Sequence, residues 1–182
     1  IDVGTTLSVP SQTVIDGDIN KDGKPDITLT NQFEMASTIL SLDEDNTVIN
    51  GINFQSSETS CLFIGGNNNK VTACFLGTDT SGLSLGGITN SSITDYPSII
   101  ISGNNNQIGD TITKAKNIIA TTGPDLTSVR ITGDSNTILN TYIGMGYDGV
   151  TKINSSGHGI LLTDSASENN IGDNRSSSRS FG

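Results

Sequence analysis

The residues best spaced for chemistry form an acidic loop near the start of the chain, Asp18-Ile-Asn-Lys-Asp-Gly-Lys-Pro-Asp26. Oxygen-bearing side chains stand at loop positions 1, 3, 5 and 9, and the lysine at position 7 can lend its backbone carbonyl. Calcium loops place oxygen ligands at these positions and a glycine at position 6 for a sharp turn, which Gly23 supplies. The loop therefore predicts a Ca²⁺ site with the ligands Asp18, Asn20, Asp22, Lys24 and Asp26.

The calcium pattern is incomplete at its last position. Position 12 is Leu29 and not the glutamate that binds Ca²⁺ through both oxygens, so another carboxylate such as Asp16 or Glu34 would have to complete the site. The alternative is a turn rich in Asp, Asn and Gly, in which the side chains accept hydrogen bonds from their own backbone. The sequence leaves both interpretations open.

A second candidate is His158, the single histidine of the chain, between Gly157 and Gly159. A His-Gly pair resembles an element of polygalacturonase-type hydrolases, which need paired carboxylates around the glycosidic bond. The Asn-Thr-Asp, Asp-Asp and Arg-Ile-Lys elements expected with that histidine are missing. Polysaccharide lyases use an arginine or lysine as base, and Arg130 is the basic residue within a predicted strand. We therefore expect His158 to be a loop residue, and polysaccharide cleavage is an alternative.

Composition limits the class of protein. The 182 residues include 21 glycines but are only 32% hydrophobic and 4% aromatic, which favours a thin core of aliphatic side chains over a bulky one. The net charge of −10 disfavours binding to nucleic acid and to anionic membrane surfaces. No apolar run approaches the roughly 20 residues of a membrane span. The first residue is Ile1 and not Met, and we expect the chain to be a segment of a longer, exported polypeptide.

The elements that position these residues follow from an internal repeat. The segment from Asn46 to Phe54 returns from Asn69 to Gly77 at an offset of 23 residues, close to one coil of a β-solenoid. Later asparagine-led strands follow at spacings of 37, 30 and 34 residues. Stacked amides at about 4.8 Å can hydrogen-bond along the axis. The predicted structural ladder consists of Asn46, Asn69, Asn106, Asn136 and Asn170.

The repeat predicts an all-β, parallel solenoid of about five to seven rungs. Residues 1–35 would form an N-terminal cap, 36–173 the β-helix and 174–182 a polar C-terminal tail. Loops near 78–96, 110–125 and 146–158 would be insertions at a single corner. The segment from Thr113 to Ile119 could form a short helical turn within one of them. Cys61 and Cys74 leave a disulfide and two buried free thiols both open.

Several motifs resemble one family, the right-handed parallel β-helix repeats of large exported prokaryotic surface proteins. They are Thr13-Val-Ile-Asp-Gly17, Asn69-Lys-Val71, Phe75-Leu-Gly-Thr-Asp79, Asn106-Gln-Ile-Gly-Asp110, Asn136-Thr-Ile138, Tyr142-Ile-Gly144, Gly159-Ile-Leu-Leu162 and Asn169-Asn-Ile-Gly-Asp173. The chain departs from the family where the second glycine of a corner is Asp110 or Asp173, and in the loop 82–96. The resemblance implies a right-handed β-helix outside the cell or on its surface.

The same resemblance implies a structural or adhesive module. We expect it to associate with itself, end to end into filaments, or with other surface or matrix proteins and glycans, without binding nucleic acid or inserting into a membrane. Two alternatives stay open, a polysaccharide-degrading enzyme and a carbohydrate-binding module. Binding modules stack sugars on exposed aromatic rings, for which the predicted loops offer Tyr96 and Tyr147.

Overall fold

A computed structural model describes residues 1–31, 38–56, 59–86, 96–111, 114–121, 127–153, 157–163 and 165–172. Their regular elements are all β-strands. None of the described residues forms a helix that could cross a membrane. The strands are β1 Leu7–Ser8, β2 Val14–Asp16, β3 Ile27–Asn31, β4 Thr38–Leu42, β5 Val48–Asn50, β6 Ile52–Ser56, β7 Ser60–Ile64, β8 Lys70–Thr72, β9 Phe75–Leu76, β10 Ile99–Ile101, β11 Gln107–Ile108, β12 Asn117–Ile119, β13 Val129–Ile131, β14 Thr137–Ile138, β15 Thr141–Ile143, β16 Ile160–Leu162 and β17 Asn170–Ile171.

Every third strand belongs to the same sheet, and neighbouring strands in each sheet are parallel. The first sheet is ordered β1-β4-β7-β10-β13-β16, the second β2-β5-β8-β11-β14-β17 and the third β3-β6-β9-β12-β15. Successive strands therefore wind through the three sheets in six coils, of which the last is described for two strands. The predicted parallel β-helix is confirmed.

Aliphatic side chains stacked in columns form the core. In the second sheet, Ile49, Val71, Ile108 and Ile138 pair in register from coil to coil and are at most 3% exposed. Leu62, Ile99 and Val129 form a matching column in the first sheet. β-Branched side chains fit this pleated, stacked surface, which explains why short Ile and Val runs suffice to form the strands.

Within each coil, the first corner joins the first sheet to the second, the second corner joins the second sheet to the third, and the third corner leads into the next coil. One residue of each first corner has a left-handed backbone conformation, with φ between 57° and 61°. Asparagine adopts this conformation more readily than most residues. The six equivalent positions are Gln12, Asn46, Asn68, Asn105, Ser135 and Glu168.

The residue after each left-handed position belongs to a polar ladder. The Asn106 side chain accepts a hydrogen bond from the backbone N–H of Asn69 at 2.8 Å and donates one to the carbonyl of Gly66 at 3.0 Å. Asn136 and Asn169 bind the preceding coil in the same way, and the Asn69 side chain accepts from the N–H of Thr47. Each of these side chains thus satisfies at least one backbone group of the coil before it, instead of bonding to the next amide in the column.

Two members of the predicted ladder are wrong by one residue. Val48 pairs with Lys70, so the first offset is 22 residues, and Asn46 is equivalent to Asn68. Asn170 likewise pairs with Thr137, which leaves Asn169 in the ladder at an offset of 33. Asparagine also occupies the neighbouring left-handed position, so the predicted register could be shifted by one residue and still align asparagines. Such a shift exchanges the inward-facing and outward-facing side chains of a strand. The ladder positions are Thr47, Asn69, Asn106, Asn136 and Asn169.

The boundary predicted between cap and β-helix also differs from the structure. Strands β1, β2 and β3 lie within residues 1–35, and each pairs in parallel with its equivalent in the next coil. Residues 7–31 therefore form the first coil of the solenoid. Residues 1–3, which precede the first coil, cover the start of the third sheet. Asp2 bridges to Thr30, and the N–H of Val3 donates to the Thr30 carbonyl at 2.8 Å.

The insertions lie at more than one corner. The loop 17–26 and the loop 109–116 lie at the second corner, whereas the loops 77–98 and 144–159 lie at the third. Part of the segment predicted as an inserted loop with a helical turn is strand β12, which pairs with β9 and β15. Residues 112–113, residues 87–95 of the loop 77–98 and the predicted tail 174–182 lie outside the described residues.

The ladder predicts a large difference between adjacent asparagines. Asn106→Ala leaves the Asn69 N–H and the Gly66 carbonyl without partners in the interior, so we expect unfolding in urea to show a loss of about 2–4 kcal/mol. Asn105→Gly is the matched control, because Asn105 is exposed and its φ of 58° suits glycine. Equal stability of the two variants would contradict the ladder.

Candidate functional site

The acidic loop lies at the second corner of the first coil and is organised by hydrogen bonds to its own backbone. Asp18 is 6% exposed, and its two oxygens accept the N–H groups of Asp22 at 3.1 Å and Gly23 at 3.0 Å. Asp26 accepts the N–H of Ile19 at 2.8 Å and that of Asn20 at 3.0 Å. The carboxylates thus fix the loop from within, as the turn interpretation requires.

The other predicted calcium ligands take part in the same network. The side-chain oxygen of Asn20 accepts the N–H of Asp22, and Asp22 accepts the N–H of Lys24, both at 2.9 Å. No group of three or more His, Cys, Asp or Glu side chains in the described segments is placed to hold a metal ion. Calcium binding stays a prediction, with ligands that all lie in one loop.

Of the two carboxylates considered for completing the calcium site, Asp16 has other partners. It forms an ion pair with Lys21 and accepts a hydrogen bond from the Asn50 side chain at 2.8 Å. The hydrogen bonds from Lys21 and Asn50 lower the pKa of Asp16. Glu34 lies outside the described residues.

The acidic loop also reaches along the rod to later coils. A Cβ atom on Gly23 would lie only 2.3 Å from the carbonyl oxygen of Lys114, so glycine allows the loop to pack against the loop 109–116. Lys24 Nζ lies 4.6 Å from the centre of the Tyr147 ring, and Lys116 Nζ lies 4.5 Å from that of Tyr142. These cation–π contacts stabilise the packing of loops from the first, fourth and fifth coils.

Two loops of the third corner cover the outer face of the third sheet. Antiparallel bridges from Thr78 to Leu85 and from Met145 to Lys152 close them, and the Tyr147 N–H donates to Gly82 in the other loop at 2.9 Å. They bury an outer cluster formed by Phe75, Ile118, Ala120 and Ile153 and flanked by Leu85, Tyr142 and Tyr147. Tyr147 is therefore engaged in packing.

Asp79 and Asp148 fix these two loops. Burial raises the pKa of Asp79, but hydrogen bonds from Ser81 and from the loop backbone outweigh it and leave the pKa below its ordinary value. Asp148 accepts the hydroxyl of Thr151 at 2.6 Å, which lowers its pKa. Both carboxylates are turn residues.

His158 and the two cysteines have simple environments. The His158 side chain is exposed, and its backbone carbonyl accepts the N–H of Ser128 at 2.9 Å. Arg130 occupies the middle of β13, one coil away. Cys61 and Cys74 are both buried thiols that form no disulfide, and burial raises the pKa of the Cys74 thiol to about 12.

A cleft on the outer face of the first sheet is the feature that the sequence did not predict. Ser8, Ser41, Phe63 and Ile100 pair in register across coils 1 to 4, and all four line it. The cleft has a volume of about 540 Å³. Its signal in the sequence was alternation, because Phe63 stands between the inward-facing Leu62 and Ile64 and must therefore point outward.

The edges of the cleft combine an aromatic ring with polar groups. Tyr96 lines it and is 46% exposed, and Asp43 lines it from the first corner. The Ser41 hydroxyl donates to Asp43 Oδ2 at 2.7 Å. Ser60 also lines the cleft and is 1% exposed, and its hydroxyl has no hydrogen-bond partner in the part of the chain that the structure describes.

No family model, curated protein or solved structure matches this chain.

The Lys70–Asp110 pair predicts a pH dependence of stability. The two groups are 2.6 Å apart, and the hydrogen bond from Lys70 lowers the pKa of Asp110. This carboxylate therefore stabilises the fold above its unfolded pKa of about 4, and the stabilisation is lost as the pH falls through the lower, folded value. We expect Asp110→Asn to lose about 1 kcal/mol or less at pH 7, because the pair is partly exposed, and nothing at pH 2.

Thermal melts between pH 7 and pH 2 measure this difference, with Glu44→Gln, which removes an exposed carboxylate, as control. A gap between wild type and Asp110→Asn that persists unchanged at pH 2 would contradict the assignment.

The acidic loop predicts that Asp18 stabilises the fold without any metal. Asp18→Ala leaves the N–H groups of Asp22 and Gly23 without their acceptor, so the free energy of unfolding in a chelator should fall by about 1–3 kcal/mol. Chemical denaturation of the two proteins with EDTA present measures this loss, and equal midpoints would refute it.

Calcium binding is tested separately on the wild-type chain. A folded-state Ca²⁺ site raises the melting temperature as the ion concentration exceeds the dissociation constant. Identical melts in EDTA and in millimolar CaCl₂ would remove the calcium prediction.

Proposed function

We propose that the chain is an extracellular structural or adhesive module of a cell-surface or matrix protein, a β-helix rod that associates end to end. The resemblance of its corner and strand motifs to exported surface proteins supports the location. A net charge of −10 and corners rich in Asn, Ser, Thr and Gly give the rod a well-hydrated surface.

The observation that carries the proposal is the strand pairing of the first and last described coils. Among the described strands, β1 and β2 at one end and β16 and β17 at the other pair along one edge only. An edge strand offers a row of backbone donors and acceptors to another chain. Such a row is present in the first and second sheets at each end, where a neighbouring coil could pair with it.

Apolar side chains at these ends continue the core columns. Leu7 stacks on Leu40 and is 39% exposed. At the other end, Leu162 follows Ile131 and Ile171 follows Ile138, and they are 45% and 47% exposed. A coil added at about 4.8 Å would bury these side chains as the inner coils bury theirs.

The two ends differ, so contact between them is head to tail. Such an interface repeats without closing and produces open filaments. Added strands of a second copy are the partner that fits best, because that copy carries the same three-sheet cross-section and the same column spacing. Other surface or matrix proteins with exposed strands, and glycans on the sides of the rod, are further partners under this proposal.

Polysaccharide cleavage stays the second alternative. His158 and Arg130 are the residues on which it depends. A reducing-sugar or unsaturated-uronate assay on acidic glycans, with each residue replaced by alanine, tests it independently of assembly.

Assembly predicts that a charge at one end coil keeps the rods apart. Ile171→Lys places an ammonium group in the core column of the C-terminal end, where a stacked coil would desolvate it. We expect wild type to form filaments or concentration-dependent oligomers in negative-stain micrographs and sedimentation velocity, and the variant to stay monomeric.

Val150→Lys is the control, since it adds the same charge at a loop side chain that is 82% exposed. Monomeric wild type at every concentration, or equal assembly of the two lysine variants, would contradict the proposal.

A further inference from the structure

We propose that the cleft on the outer face of the first sheet binds a neutral glycan, with sugar rings against Phe63 and Tyr96 and sugar hydroxyls on Asp43 and Ser60. This binding site is independent of end-to-end assembly, because the cleft lies on the side of the rod.

The apolar part of the cleft suits the C–H face of a sugar ring. Phe63 and Ile100 are adjacent in one outward-facing column of the sheet. Tyr96 lines the same cleft and has 46% of its surface exposed. The third sheet shows the contrast, because there the outward Phe75 is fully buried beneath loops of the third corner. Phe63 keeps a partly exposed surface, so an aromatic platform is left open on the first sheet.

The polar part of the cleft suits sugar hydroxyls. The Ser41 hydroxyl holds Oδ2 of Asp43, which orients the carboxylate so that its oxygens can accept hydrogen bonds from a ligand. A Cβ atom on Gly65 would lie 3.1 Å from Asp43 Oδ1 and 2.8 Å from Cε1 of Phe63. The carboxylate and the phenyl ring are therefore close neighbours, as a ligand that uses a ring face and a hydroxyl together requires.

Ser60 is the second, independent indication of a ligand. A hydroxyl buried without a partner is costly, and such a group in a native fold needs a reason. Ser60 is 1% exposed, lines the cleft and has no partner among the described residues. A sugar hydroxyl is a donor and an acceptor, and it can satisfy this group where an apolar ligand cannot.

Charge and size narrow the ligand class. The described lining holds the carboxylate of Asp43 and no cationic side chain, so a uronate or sulfated glycan would be repelled. Arg130 follows Ile100 in the outward column but does not line the cleft. The volume of about 540 Å³ lies within the range of about 300–1,000 Å³ typical of ligand sites. Since the cleft extends from the first coil to the fourth, about 14 Å, it has room for more than one ring.

Affinity electrophoresis in gels containing β-glucan, galactomannan, galactan or xylan tests the proposal, with polygalacturonate as the charged comparison. We expect at least one neutral polysaccharide to retard the wild-type chain and polygalacturonate not to retard it. Phe63→Ala should weaken the retardation by about tenfold or more, because it removes the platform. Val150→Ala, an exposed site outside the cleft, should leave it unchanged.

Ser60→Ala separates binding from folding. The hydroxyl has no partner among the described residues, so its loss should leave the melting temperature unchanged or higher, while affinity for the retarding glycan falls by about three- to tenfold. The proposal is overturned if none of the neutral polysaccharides binds, if polygalacturonate binds as well as they do, or if Phe63→Ala binds like wild type. It is also overturned if reduced casein, an unfolded polypeptide, occupies the cleft and the neutral polysaccharides do not.

Discussion

The backbone N–H buried at each first corner sets the main constraint on this fold. Coils about 4.8 Å apart leave no room for water at the corner, so the N–H must find its acceptor in the next coil. A single asparagine supplies the acceptor and also donates to the carbonyl of a corner glycine. The left-handed residue before it turns the chain tightly enough to bring the amide into place. Strand register, and with it the inward columns, follows from this corner.

Much of this architecture could be predicted from the repeat, because the sequence pattern of the first corner recurs once in each coil of a β-solenoid. The single-residue slip arose where two adjacent corner positions both favour asparagine, one for its tolerance of positive φ and one for its amide. The burial of the strand residues distinguishes the two registers: Ile49 is buried in the core and pairs with Val71, whereas Val48 is only partly buried. Strand β12 was missed because long loops flank a run of three residues. The first coil was mistaken for a cap because the acidic loop interrupts it.

The candidate sites were less predictable, since they depend on which outer faces the loops cover. The acidic loop matched a calcium pattern in its letters, but the structure uses its carboxylates to hold backbone N–H groups, a function that the same spacing also serves. Tyr96 and Tyr147 looked alike as loop aromatics. Tyr147 is packed against Phe75 beneath a lysine, whereas Tyr96 lines an open cleft. Sequence alone could not separate them, because the difference lies in the path of each loop.

Amide hydrogen exchange resolved by NMR is the most direct test of the corner ladder. The N–H groups of Thr47, Asn69, Asn106 and Asn136, which the ladder side chains bind, should be protected as strongly as the central strand amides and exchange only through global unfolding. Exchange of these four amides within minutes, while the strand amides stay protected, would show that the side chains do not hold the coils together.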